Sequence, residues 1–210
     1  MSHCTHFKFQ YVDVNCIAAT YSRLKLSPEE KYIRSYSGMK WLIEEYPTYM
    51  TFLPSYNVVH CKNKGFNYFM ENCGNHHELS IEKHDMTETD KRKSKQLASE
   101  FQTIYIEEVA KLFVDKMCQK GINAILNKED KGFSINFGPF YEKSILIKFD
   151  NGRVIEEVHG VKGESCVSLT EALENMLSSA DVELNSEWTE EYYEGFEEGL
   201  AIYNLTENEK

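Results

Sequence analysis

A chain of 210 residues that is 41% apolar and 13% aromatic has the material for a buried core, which excludes a disordered chain. Its formal charge of −11 argues against a general nucleic-acid binder. The lack of any run of about 18 apolar residues argues against a membrane-crossing helix. The opening MSHCTHFKFQYVDV has no apolar signal-peptide core, which predicts a cytoplasmic protein. Six dispersed cysteines without a CxxC pair, Cys4, Cys16, Cys61, Cys73, Cys118 and Cys166, then predict reduced thiols rather than a disulfide framework.

In chain order, Phe7, Phe9 and Tyr11 alternate with His6, Lys8 and Gln10. Period two predicts a strand over 5–12. Asp13 is placed to cap a short helix over 14–25, with Ile17, Ala18, Tyr21 and Leu24 on its apolar face. Ser27-Pro28-Glu29-Glu30 reads as another helix start. Residues 39–43 fit a helix or a strand. After Pro47 and Pro54, strands are predicted at 57–62 and 65–70 around the turn Asn63-Lys64-Gly65. Residues 71–95 read as a loop that carries Gly74, three histidines and the run Asp90-Lys91-Arg92-Lys93-Ser94-Lys95. That run is a solvated loop or helix start, or else a contact for phosphate or a localisation signal.

The longest helical pattern covers 96–120, where Leu97, Phe101, Ile104, Tyr105, Val109, Leu112, Phe113, Met117 and Cys118 recur at steps of three and four before Gly121. Two strands follow, at 122–126 and 132–137, and Gly138-Pro139 marks a domain boundary. A hairpin is predicted from Ser144–Phe149 and Arg153–His159 around Asn151-Gly152. The glycine-rich loop Gly160–Cys166 leads into a helix from Ser168 or Thr170 to Ser178. Residues 181–210 hold ten Asp/Glu and one Lys, a net of −9 that leaves −2 for the rest. Within them Trp188, Tyr192, Tyr193, Phe196 and Leu200 fall at helical spacings between glutamates. They predict an amphipathic acidic helix that packs on its own domain or docks on a basic partner.

The residues Met1-Ser2-His3-Cys4-Thr5, with Asp13 eight further on, resemble the plastid and cyanobacterial hypothetical reading-frame thirty-five family, the domain of unknown function twelve-fifty-seven. Its members begin Met-Ser-His-Phe-Thr, and Cys4 stands here for the phenylalanine. The helix around Tyr105–Lys120, with Gly121-Ile122 and two strands ending near Phe137, resembles the same family's C-terminal part. Asn151-Gly152, Val158, Gly160, Gly163, Ser165, Cys166, Leu169 and Leu173 resemble a second family, the domain of unknown function twenty-nine ninety-seven. That family is a small unit of strand, turn, strand, Gly-x-x-Gly-x-x-Cys loop and helix. The two resemblances imply an accessory protein working beside an AAA-type ATPase or a ferredoxin-like protein.

Three clusters carry candidate chemistry. Cys166 follows a glycine-rich loop and precedes a helix, where a thiolate is stabilised and where Gly160, Gly163 and Ser165 can offer N–H groups to an anion. It is a reactive thiol, or a small buried apolar residue whose glycines serve the turn. Cys61, Cys73, His76 and His77 offer a zinc set in which only Cys73-x-x-His76 has ligand-like spacing; His60-Cys61 are strand neighbours that point to opposite faces. His3, Cys4 and His6 bind copper or nickel adventitiously, or pin the first strand. The chain has no P-loop, GxGxxG, GxSxG or HExxH, and no paired-carboxylate motif for acid–base catalysis.

The reading is an α+β protein of two small units, each a short antiparallel sheet packed by helix: residues 1–140, where the first strand joins the 122–137 strands, and residues 144–182. An acidic segment, 183–210, follows. The function expected is a non-catalytic cytoplasmic adaptor that binds a protein partner through Trp188, Tyr192, Tyr193 and Phe196 and needs no cofactor. The alternatives are a thiol redox or carrier protein using Cys166 and a zinc-binding module.

Overall fold

The structure is a computed structural model. It describes residues 3–26, 32–34, 41–43, 58–83, 85–138, 140, 142–150, 153–161 and 164–188. Within these, residues 3, 6, 32–34, 41–43, 58–60, 62, 150 and 164–166 are described by their backbone alone. The fold is α+β, with antiparallel sheets and helices. The chain divides into two compact units, Gln10–Glu108, and Met1–Phe9 with Val109–Lys210.

In the unit Gln10–Glu108, α1 (Val14–Arg23) starts as its sequence predicts. The Asp13 carboxylate accepts from the backbone N–H groups of Asn15 and Cys16 at 2.8 and 2.9 Å, which satisfies two donors that a helix start leaves open. A second acceptor comes from far along the chain. The Tyr105 hydroxyl accepts from the backbone N–H groups of Val12 and Asp13, both at 2.9 Å. Tyr105 and Phe101 are one turn apart on α2 (Glu88–Gln119), so both rings lie on one face. Their rings meet Tyr11 edge-on at 5.0 and 5.5 Å, and Phe101 meets Tyr21 at 5.5 Å. This geometry adds about 0.5–1.5 kcal/mol per pair to area burial. Arg23, at the end of α1, bonds Glu108 at 2.6 Å and Glu107 at 3.1 Å.

The remaining elements of this unit are strands. The helix expected after Ser27 is not what the described residues hold at 32–34. There β2 (Tyr32–Arg34) pairs with β3 (Trp41–Ile43), Ile33 opposite Leu42, as aromatic and β-branched residues favour. The open choice at 39–43 is thereby a strand at 41–43. The meander β4 (Val58–Asn63), β5 (Phe66–Asn72) and β6 (His77–Glu82) turns at Lys64 and Gly65, both at positive φ, +50° and +79°, as a two-residue hairpin turn of the I′ kind demands.

The loop expected over 71–95 is instead β6 followed by the start of α2. β6 alternates weakly, with His77 and Ile81 buried between polar neighbours. The helix begins at a reciprocal cap. The Asp90 N–H donates to the Thr87 hydroxyl, and the Thr87 N–H and hydroxyl donate to the Asp90 carboxylate. Lys83, then Thr87, pulls the Asp90 carboxyl down to about 2. The basic run thus occupies the first turns of α2, where Lys91, Arg92, Lys93 and Lys95 are exposed. It is the solvated helix start, with Lys93 lying 5.7 Å from the centre of the Phe66 ring.

In the unit of Met1–Phe9 and Val109–Lys210, one six-stranded sheet has the order β11-β1-β10-β9-β8-β7, every neighbouring pair antiparallel. Its strands are β1 (His3–Lys8), β7 (Ala124–Glu129), β8 (Gly132–Phe137), β9 (Lys143–Asp150), β10 (Arg153–His159) and β11 (Asn185–Trp188). The boundary expected at Gly138-Pro139 falls inside this sheet. The short 138–142 connection returns β9 against β8, which closes that edge. So β1 pairs with β10 and β11 rather than with the 122–137 strands. Phe113 on α2 packs edge-on to Phe137 at 6.4 Å. Ile135, Ile145, Ile147, Val154 and Val158 are excluded from solvent, as are Leu173 and Leu177 of α3 (Glu164–Leu177).

The acidic helix expected from Trp188 onward does not begin there, because Asn185–Trp188 is strand β11 bonded to β1. Tyr192, Tyr193 and Phe196 lie outside the described residues. No helix among the described residues is long and apolar enough to cross a membrane.

Replacing Tyr105 by Phe keeps the ring and removes the acceptor for two backbone donors. Urea unfolding is expected to show a loss of about 1–3 kcal/mol with an unchanged m-value. A loss under 0.5 kcal/mol would deny the hydroxyl this role.

Candidate functional site

Cys166 is the third residue of α3, which begins at Glu164 rather than at 168. The backbone therefore puts it in the first turn. Its side chain, like that of Ser165 beside it in the helix, is not among those described, and Gly163 lies outside the described residues. Gly160 has a structural reason to be glycine. Its φ is +71°, and a Cβ there would run into the Glu142 carbonyl oxygen. None of Cys4, Cys16, Cys61, Cys73 and Cys118 is in a disulfide.

The cysteine–histidine set separates into two groups. Cys61 is 1% exposed, opposite Tyr68 in the β4–β5 register, and burial pushes its thiol up to about 12. His77 opens β6, is buried, and donates its backbone N–H to the Tyr11 carbonyl at 2.7 Å. Burial holds its imidazole below the ordinary value, with His76 adding to the effect and the Tyr11 backbone opposing it. Neither joins Cys73 and His76. Those two come together instead with Glu78, a residue the sequence reading did not select. The Cys73 sulfur, a His76 nitrogen and a Glu78 oxygen lie within 4.8 Å of one another.

The turn that gathers them is tightly bonded. The Cys73 N–H donates to the His76 carbonyl at 2.9 Å, and the Gly74 N–H to the Asn72 side-chain oxygen at 2.8 Å. Gly74 sits at φ +100°, a conformation glycine adopts without strain. The Cys73 thiol donates to the Glu71 carbonyl at 3.8 Å. Burial first, then Glu78 and Glu71, raises that thiol above its ordinary value.

At the far edge of the six-stranded sheet, all four residues of β11 are exposed, Trp188 by 40%. Among the described residues no strand lies beyond it. The Trp188 position is opposite His3 of β1.

A fourth group was invisible to motif reading. Glu156 on β10 lies between Val154 and Val158, and all three are 0% exposed. In the register Ile147, Glu156, Thr5 and Ser186 form one row across β9, β10, β1 and β11, and so share a face. The Thr5 and Ser186 hydroxyls are 3.1 Å apart. Glu174 of α3, 8% exposed, meets this row.

As two carboxylates neither glutamate can donate to the other, and among the described residues no donor reaches the Glu156 oxygens. A proton on Glu156 supplies the missing donor to Glu174. Burial, then the charge of Glu174, puts Glu156 well above the ordinary 4.5. Burial also raises Glu174, while hydrogen bonds with Thr170, Thr5 and Glu156 pull it back and Glu171 adds to the rise. Burial and the facing carboxyl thus both favour a proton on Glu156. The signal for it in the sequence is the alternation Val154-x-Glu156-x-Val158, which places an acid on the inward face.

Residues 146–193 match a family model described as "Protein of unknown function (DUF2997)". The matched stretch runs from β9 through β10 and α3 past β11, and contains Glu156, Gly160, Cys166 and Glu174. No curated protein and no solved structure matches the chain.

A carboxyl whose folded value is raised binds its proton more tightly folded than unfolded. Its stabilising contribution is therefore complete below the ordinary value of 4.5 and is lost as pH rises from there through the folded value. Glu156→Gln keeps the donor and removes the charge. It is expected to raise stability at pH 8 by about 1–3 kcal/mol and to flatten the fall of melting temperature with pH. A variant less stable than the parent at pH 8 would contradict the protonated pair.

Proposed function

We propose that the protein is a non-catalytic, cytoplasmic accessory protein of adaptor type. It acts within a larger system, and its partner is a protein with a basic docking surface. The observation that carries this reading is the exposed edge strand β11, which leads directly into the acidic, aromatic residues 189–200. An uncovered strand edge accepts a partner's strand through main-chain hydrogen bonds, and the glutamates that follow favour a basic surface beside it. An AAA-type ATPase or a ferredoxin-like protein is the partner class that the two family resemblances suggest. The resemblance of Met1–Thr5, Asp13 and Tyr105–Phe137 to the reading-frame thirty-five family belongs to this proposal.

The experiment is affinity capture by the full chain and by a chain ending at Trp188, which keeps β11. A specific partner is expected with the full chain and lost from the shorter one. Its recovery should fall as salt rises from about 0.05 to 0.5 M, where the Debye length shrinks to a few ångströms. Equal recovery with both chains would refute the acidic segment as the contact.

The position of Cys166 in the first turn of α3 favours a second reading, a thiol carrier or redox protein, because a helix start stabilises a thiolate. Mass-spectrometric alkylation of the native protein across pH separates the two. A carrier requires Cys166 to react with an apparent pKa well below about 8.5. Protection until denaturation would remove this reading and leave the adaptor.

A further inference from the structure

We propose that Cys73, His76 and Glu78 form a binding site for a single zinc-type divalent cation, with three protein ligands and a fourth position left to water. Three independent features of the β5–β6 turn point to it. The first is the donor set. One sulfur, one imidazole nitrogen and one carboxylate oxygen lie within 4.8 Å of one another, and this mixed set suits a borderline-soft dication such as zinc. The His76 Nε2 to Glu78 Oε1 distance is 3.6 Å, close to the ~3.4 Å edge of a tetrahedron with zinc–ligand bonds of about 2.1 Å.

The second feature is the orientation of the imidazole. Asn75 Oδ1 lies 2.8 Å from His76 Nδ1. A side-chain oxygen there can only accept, so Nδ1 donates to it, and the neutral imidazole then carries its lone pair on Nε2, where a metal binds. Metal-bound histidines are commonly fixed by such an acceptor. In that form Nε2 and the Glu78 carboxylate face each other at 3.6 Å, and a cation between them would be ligated by both.

The third feature is the rigidity of the frame. The ligands are fastened from both sides of a short turn, Cys73 just after β5, His76 just before β6 and Glu78 on it. The Cys73–His76 backbone bond at 2.9 Å and the Gly74–Asn72 bond at 2.8 Å set their spacing before any ion arrives. A preorganised turn of this kind loses little freedom on binding. An ion pair between His76 and Glu78 would account for those two residues but would give Cys73 no part.

Binding forms one sulfur–metal, one nitrogen–metal and one oxygen–metal bond, and each displaces a metal-bound water to solvent. The thiol proton, now shared with the Glu71 carbonyl, goes to the buffer. No electron is transferred. The ion would close the β5–β6 turn as a clip and keep one exchangeable position open to solvent.

The test is titration of chelator-treated full chain with cobalt(II), a coloured stand-in for zinc. The expected result is one ion per chain, with a near-ultraviolet thiolate-to-cobalt charge-transfer band that one equivalent of zinc abolishes. Cys73→Ser should remove the band. Glu78→Gln and His76→Ala should each weaken binding, and Asn75→Ala should weaken it by roughly 10–100-fold as an orienting partner. Each metal-free variant should keep the far-ultraviolet circular dichroism of the parent, so that lost binding reports lost ligands. Cys118→Ser, at an exposed cysteine outside the turn, should titrate like the parent. The proposal is overturned if no thiolate band appears, if the band survives Cys73→Ser, or if His76→Ala and Glu78→Gln bind cobalt as the parent does.

Discussion

Strand β1 is hydrogen-bonded on both edges, to β10 on one side and β11 on the other. This double pairing joins β11 to the β10-β9-β8-β7 meander and so completes the six-stranded sheet. It makes the unit of Met1–Phe9 and Val109–Lys210 discontinuous in sequence and turns Gln10–Glu108 into an insertion between two parts of one sheet. It also closes the row Ile147–Glu156–Thr5–Ser186, so that an acid on a central strand is sealed by a residue from the opposite end of the chain. Without β1, Glu156 would sit on a sheet edge, where water would solvate it.

The elements that the sequence made legible are those whose signal is local. The cap at Asp13, the hairpin around 151–152, the turn at Lys64-Gly65 and the three- and four-residue stripe of α2 are each written within a dozen residues. What stayed hidden is set by partners distant along the chain. The neighbours of β1 depend on which edge β9 has already occupied. The strand at Asn185–Trp188 exists because β1 offers an edge to it; its own four residues are all exposed and carry no apolar alternation. The early start of α2 was written in Thr87 and Asp90, but the charged run after them obscures the apolar stripe by which helices are read.

The candidate sites divide in the same way. Cys73 and His76 were legible because an x2 spacing is a recognised ligand interval. Glu78 was not, since it is one of 34 acidic residues and a carboxylate ligand has no characteristic interval. Cys61 and His77 drop out for a reason of strand geometry: both point into the buried side of the meander, and the ligand group gathers at the turn. The Glu156–Glu174 pair has no interval at all, because a strand and a helix supply one carboxyl each. Its setting between two buried valines was the sole trace in the sequence.

The central place of β1 has a consequence for biosynthesis. Residues 10–108 are contiguous, so their tertiary contacts can form while the chain is still being made. The sheet that contains β1 has to wait. Thr5 and Ser186, whose hydroxyls touch, are separated by 181 positions, and no native arrangement of β1 is complete until β10 and then β11 have left the ribosome. Until then Phe7 of β1 lacks its partner Val154 on β10 and stays uncovered.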